Sequence, residues 1–231
     1  MSSQIPASNF DFLSQLKENN HREWFNENKK WYQEEHQNVI NFADALLARL
    51  SEHDQIATPN GKKSLMRIYR DVRFSKDKSP YNPRWAGGFG RIKPQLRGGY
   101  YFHLSPDRTV IGGGFYNPHK DDLKLIRDHI AQDDEPLRSV LNDAAFKAMF
   151  GELQGEQVKT APKGFDKEHP AIDLLKYKSM YVMREFSQKE VFSPDFVEKA
   201  LATYVGLRPF FDVMTEILTT DLNGLSLLES S

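Results

Sequence analysis

The chain has 231 residues, enough for one large domain or two small ones, and its 39% hydrophobic and 27% charged residues are the composition of an ordinary globular protein with a packed core. At this size folding buries about 70% of the unfolded surface, so no covalent or metal staple is required. The sequence contains no cysteine, which excludes disulfides, thiolate metal ligands and a cysteine nucleophile and fits a reducing compartment.

The opening segment, MSSQIPASNFDF, has neither a basic start nor an apolar run, so no signal peptide is read. No stretch approaches the roughly 20 apolar residues of a membrane span. The expected location is cytoplasmic, with no membrane partner. The net charge of −1 is unevenly spread. Residues 62–97 carry six arginines and five lysines against Asp71 and Asp77 alone, a local charge of +9, which leaves −10 on the remainder. A basic island on an acidic body calls either for an anionic partner or for internal pairing with acidic helices.

In chain order, residues 9–19 read as a short helix with Asn9 as its cap and Phe10, Leu13 and Leu16 at helical spacing. A long helix follows over about 22–53. Its stripe of Trp24, Asn28, Trp31, Tyr32, Val39, Phe42, Leu46 and Leu50 is expected to face the core. TPNG, residues 58–61, breaks the chain. From 64 to 116 the pattern is strand-like: LMRIYRDVRF, RWAGGFGRI, GGYYFHLS and RTVIGGGFY, with short connections that predict an antiparallel meander. Eight of the fourteen glycines fall between Gly87 and Gly114. Such clustering implies bulges, curvature, or close approach of a backbone or ligand.

Helices are predicted over 119–131 and about 136–149, the second stopped by Gly151. A loop with a short extended piece at Val158 leads to a helix opened by Pro170 and running to about Lys176. A strand follows near 178–186. A last helical region runs from Ser193–Pro194 to about Leu222, interrupted near Pro209. The reading is a single α+β domain over 1–231, with its core at about 9–222. A mainly antiparallel, glycine-rich sheet (about 64–116 plus 178–186) is packed by N-terminal, middle and C-terminal helices.

The segment RIYRDVRFSKDKSPY, residues 67–81, concentrates the basic charge. As a strand it places Arg67, Tyr69, Asp71 and Arg73 on one face and Met66, Ile68, Arg70, Val72 and Phe74 on the other. An arginine amid that apolar row requires an anion, supplied either by a buried carboxylate of the chain or by a ligand. The planar guanidinium suits both roles. Lys76 and Lys78 flank Asp77 in a turn stiffened by Pro80 and Pro83, without the spacing of a Walker loop. Lys163, Asp166, Lys167, Glu168 and His169 crowd ahead of a helix start. They form either an anion site with His169 as acid or base or a capped, solvated turn.

These segments, with GGYYFHL and PKGFDKEHPAIDLLKYKS, resemble the bacterial family catalogued as domain of unknown function 2461, with its R-x-x-R-D-x-R-F signature followed by D-K and a tyrosine. Arg67, Arg70, Asp71, Arg73, Phe74, Asp77, Lys78 and Tyr81 all match, and the resemblance covers roughly residues 9–220. It implies a shared fold and no activity.

The histidines show no short paired spacing, so no metal site and no cofactor are read. Three functions remain open. The first is a small-anion site for a phosphorylated or carboxylated molecule. It would be held by Arg67, Arg70, Arg73, Lys76, Lys78, Lys163 and Lys167, with Asp71, Tyr81 or His169 as proton carriers if the protein is an enzyme. The second is a non-enzymatic interaction protein whose arginines form an internal ion network. The third is a nucleic-acid-binding module in which Tyr69, Phe74, Tyr81, Trp85 and Phe89 stack bases, against which stands the pI near 6.7. The sequence sets no oligomeric state.

Overall fold

The computed structural model describes residues 3–228. In chain order it contains α1 (Ser8–Glu18), α2 (Arg22–Glu27), α3 (Lys29–Leu50), α4 (Gly61–Ser64), β1 (Trp85–Gly90), β2 (Gly99–Leu104), β3 (Thr109–Phe115), α5 (Lys120–Gln132), α6 (Glu135–Asn142), α7 (Ala144–Phe150), α8 (Ile172–Leu175), β4 (Met180–Phe186), α9 (Gln188–Val191), α10 (Phe196–Gly206) and α11 (Arg208–Thr219). The strands form one antiparallel sheet in the order β1-β2-β3-β4, so the chain is of the α+β class. Among the described residues no helix is long and apolar enough to cross a membrane. No group of three His, Asp or Glu side chains there is arranged to hold a metal ion.

The contacts of the chain fall into two compact units. One comprises the chain up to Phe89, Tyr101–Ile111 and Glu185–Ala202; the other comprises Gly90–Tyr100, Gly112–Arg184 and the chain from Thr203.

In the first unit the C-terminal half of the expected stripe is buried, with Val39, Phe42, Leu46 and Leu50 all 0% exposed, whereas Trp24, Asn28, Trp31 and Tyr32 are only half-buried. Phe42 stacks on Phe196 at 5.2 Å and meets the edge of Phe102 at 5.8 Å. Asn9 does not cap α1, as its spacing had suggested; Ala7 precedes the helix without a side-chain cap. Asn9 instead lies inside, fully buried, and donates through Nδ2 to the backbone oxygen and the Oε2 of Glu35, both at 3.0 Å. Glu35 is itself 4% exposed and also accepts from Trp31 Nε1 at 3.2 Å and Asn38 Nδ2 at 3.1 Å. A buried carboxylate surrounded by neutral donors latches α1 to α3, because losing any donor leaves charge without compensation. The long helix read over 22–53 is interrupted at Asn28, whose side chain folds back to donate to Trp24 O at 2.9 Å.

The segment 64–74 is not a strand. It pairs antiparallel only at Leu65 with Gly87 and at Tyr69 with Tyr81. Of its supposed core face, Ile68 is buried, but Met66 is 55% and Phe74 97% exposed. Arg70 donates its N–H to Pro80 O, and Pro80 has no N–H to return.

In the second unit α5, α6, α7 and α11 surround the buried Ile126, Ile130, Leu137, Phe146, Phe150, Phe210 and Phe211. The predicted helix 136–149 is two helices, because Asp143 is extended and its carboxylate accepts Phe146 N–H at 2.8 Å, starting α7. Gly151 ends α7 at φ 70° as expected. Pro209 sits in the first turn of α11, which begins where the break was predicted. Sequence reading missed α9, which is opened by a full capping box between Ser187 and Glu190.

At five of the eight clustered glycines, Gly87, Gly98, Gly112, Gly113 and Gly114, the chain itself occupies the space a side chain would need. A Cβ on Gly112 would lie 2.0 Å from Val182 O and 2.8 Å from Met183 Cα, so the backbones of β3 and β4 meet where a side chain would stand. Gly87 likewise leaves room for the ring of Phe102.

Candidate functional site

The basic segment is a narrow hairpin base with an irregular tip. Met66 N–H donates to Ala86 O at 2.8 Å, Asn82 N–H to Ile68 O at 2.7 Å, and Arg70 N–H to Pro80 O at 2.9 Å. Beyond Arg70 the ladder stops and residues 71–79 turn back on side-chain bonds. Arg70 is 24% exposed; it pairs with Asp77 and donates to Ser79 O at 3.1 Å and Ser75 Oγ at 3.5 Å. Asp77 also accepts the Ser79 hydroxyl at 2.7 Å and its N–H at 2.9 Å. Those bonds, with Arg70, hold the Asp77 carboxyl far below the usual carboxylate range. Arg73 grips Asp71 with both prongs, Nε to Oδ1 at 2.9 Å and Nη2 to Oδ2 at 2.6 Å, which lowers the Asp71 carboxyl. Lys78 Nζ donates to Val72 O at 2.9 Å.

The predicted anion-binding residues therefore divide. Arg70, Arg73 and Lys78 are engaged by the segment's own carboxylates and carbonyls. Arg67 and Lys76 are exposed and without a side-chain partner among the described residues. At the tip Phe74 projects 97% exposed, with the Arg73 guanidinium 5.9 Å from its ring.

Tyr81 anchors the hairpin. Its ring is 3% exposed and stacks on Phe25 at 4.0 Å, while its backbone exchanges bonds with the Asn20 side chain. Burial pushes its phenol up from the ordinary value. The shifts of Asp71 and Tyr81 both run away from neutrality, where a proton carrier works best. Trp85 and Phe89 are also buried, at 3% and 1% exposure, which leaves Tyr69 and Phe74 as the open rings of the expected stacking set.

Lys163, Lys167 and His169 belong to the second unit. His169 Nδ1 accepts the Ala171 N–H at 3.1 Å, Asp166 accepts the Glu168 N–H at 2.9 Å, and Lys167 stands 3.8 Å from Glu168. This cluster shapes its own turn ahead of α8. Lys163 and Lys167 are exposed.

Two features escaped the sequence reading. The buried arginine of this protein is Arg91, in the second unit, and not Arg70; its side chain is 0% exposed. The other is a layer of aromatic rings in the first unit, built from Tyr32 and His36 on α3, the buried Trp85 on β1, and Tyr69 in the hairpin. These residues are far apart in sequence. The sequence names Tyr69 and Trp85 for stacking and places Tyr32 in the helical stripe without joining them; the unused signal is Tyr32 and His36, four residues apart on one helix.

His103 on β2 is half-buried, and burial, then Arg84 and Arg108, lowers its pKa from 6.5 to about 4. The folded protein refuses a proton that the unfolded chain takes up as pH falls below 6.5. Stability contributed by the neutral ring is therefore whole above pH 6.5, is lost between 6.5 and 4, and changes no further below 4. Solvent reaches part of the ring, so the expected loss is about 1–2 kcal/mol rather than the full linkage value. Urea unfolding across that range should show a shallower decline for His103→Gln than for the native protein; parallel profiles would contradict the assignment.

The fold is thus an antiparallel sheet with surrounding helices, and its most distinctive surface is a self-braced basic hairpin. The chain belongs to the family described as conserved hypothetical protein (DUF2461), whose family model matches residues 8–212. No curated protein and no solved structure matches the chain.

Proposed function

We propose that this protein binds an anionic partner through the hairpin 67–81, with Arg67 and Lys76 as contacts and the Arg70–Asp77 and Arg73–Asp71 pairs as the frame that presents them. The observation that carries this reading is the division of the cations. An internal ion network leaves Arg67 and Lys76 out, and Phe74, two residues before Lys76, stands 97% exposed. An extended polyanion suits the hairpin better than a small metabolite. Small ligands favour concavities, whereas the hollow of about 460 Å³ around Phe146, Met149 and Pro209 and that of about 420 Å³ around Leu13, Pro83 and Pro106 are lined by no hairpin residue. The paired state of Arg70 and Arg73 favours the interaction-protein reading over catalysis.

The test is titration with inorganic polyphosphate at several salt concentrations. Affinity should fall steeply with salt as counterions are no longer released to advantage. Arg67→Ala and Lys76→Ala should each reduce the slope of log K against log salt by about 1, with thermal unfolding unchanged. Salt-independent binding, or a double variant that binds as the native protein does, overturns the proposal.

A further inference from the structure

We infer that the anionic partner carries flat aromatic rings, and that Tyr32, His36 and Tyr69 form the platform on which the bases of a single-stranded nucleic acid stack. The inference rests on the reading above and names its partner.

The rings make a continuous layer within the first unit. Tyr32 lies parallel to His36 at 5.3 Å and to Trp85 at 5.8 Å, and His36 stands 5.6 Å from Trp85. Phe25 joins the layer to the hairpin, 5.0 Å from Tyr32, 4.0 Å from Tyr81 and 5.9 Å from Tyr69. The buried members, Phe25, Tyr81 and Trp85, suffice to pack the hairpin against α2 and α3. Packing does not account for Tyr69, which is 56% exposed, nor for Met66, three residues before it, at 55%.

Packing also leaves the polar atoms of the layer unused. Among the described residues the hydroxyls of Tyr32 and Tyr69 and the ring nitrogens of His36 have no hydrogen-bond partner. The indole N–H of Trp85 is buried and has none either. Of these atoms the Trp85 donor is the buried one, and a native core seldom leaves such a donor idle. The exposed ring of Tyr69, together with unclaimed donors and acceptors on half-buried Tyr32 and His36, suits a base, which stacks through its faces and bonds through its edge.

Charge completes the match. Burial, with Lys62 nearby, lowers the His36 pKa, and Lys62 and Arg67 are both exposed. Cations next to stacking rings are the arrangement by which single strands are held, phosphates on the basic groups and bases on the rings. An acidic polypeptide would use the cations and leave the rings idle.

The test compares three probes of matched length at low salt by fluorescence anisotropy: labelled dT12, an abasic 12-mer with the same sugar-phosphate backbone, and inorganic polyphosphate. The expected result is that dT12 binds at least tenfold more tightly than the abasic strand. Tyr69→Ala should erase that advantage while leaving abasic binding unchanged, and Tyr32→Ala should do the same. Tyr69 is exposed, so its variant remains a fair test should Tyr32→Ala fail to fold. Equal affinity for dT12 and the abasic strand, or an advantage that survives Tyr69→Ala, overturns the inference while the polyanion reading stands. If none of the three probes binds, the hairpin reading falls together with the inference.

Discussion

Replacing Arg91 by alanine is expected to lower stability by about 2–4 kcal/mol, the cost of leaving buried hydrogen-bond acceptors unpaired and opening a cavity, since the one nearby carboxylate, Asp212, is 58% exposed and stays solvated. The guanidinium is fully enclosed. It donates to Arg97 O at 2.8 Å and Thr215 Oγ1 at 3.3 Å, approaches Asp212 at 3.8 Å and lies 5.1 Å from the centre of the Phe211 ring. Alanine would strand the carbonyl and the hydroxyl and open a cavity against the aromatic ring. Arg91→Met keeps most of the volume and should cost less than alanine. Urea unfolding at neutral pH is the measurement, with the midpoint falling at unchanged slope. A loss below about 1 kcal/mol for Arg91→Ala would show that the guanidinium is not a structural strut.

Gly112→Ala is expected to be as damaging by a different route. The new methyl would sit 2.0 Å from Val182 O and 2.8 Å from both Met183 Cα and Sδ. The thioether can swing aside, but the carbonyl is part of the backbone of β4, so the strands must separate. Overpacking of this kind costs about 3 kcal/mol or more. Gly151→Ala is the useful contrast. Nothing lies within 4 Å of its added carbon, and only its φ of 70° is unfavourable, so the expected cost is about 1 kcal/mol. The measurement is again the unfolding midpoint, and equal losses at the two positions would contradict the steric account.

Arg91 and Arg70 together show what was and was not legible in the sequence. The rule that an arginine within an apolar row needs an anion was sound, but Arg70 was the wrong residue for it. The row around Arg70 alternates like a strand, yet Asp71, Ser75, Asp77 and Ser79 bind their own local backbone and one another, and Pro80 cannot complete a ladder. Arg91 stands between GGFG and IKP, where no pattern announces burial; its enclosure depends on α11, more than a hundred residues away. The three glycine-rich strands and β4 were readable because alternation and turn residues are local. The helix breaks at Asn28 and Asp143 were not, since each depends on a single side chain folding back onto the main chain. The aromatic layer was hidden for the same reason as Arg91: Tyr32, Tyr69 and Trp85 meet only in the folded chain.

Every side-chain bond that fixes the hairpin tip spans at most nine residues: seven from Arg70 to Asp77, nine from Arg70 to Ser79, six from Lys78 to Val72 and two from Arg73 to Asp71. The outline of the tip is thus written into a short run of neighbours. Drift elsewhere in the chain can remodel the body beneath it while the spacing between Phe74 and Lys76 within the tip is kept.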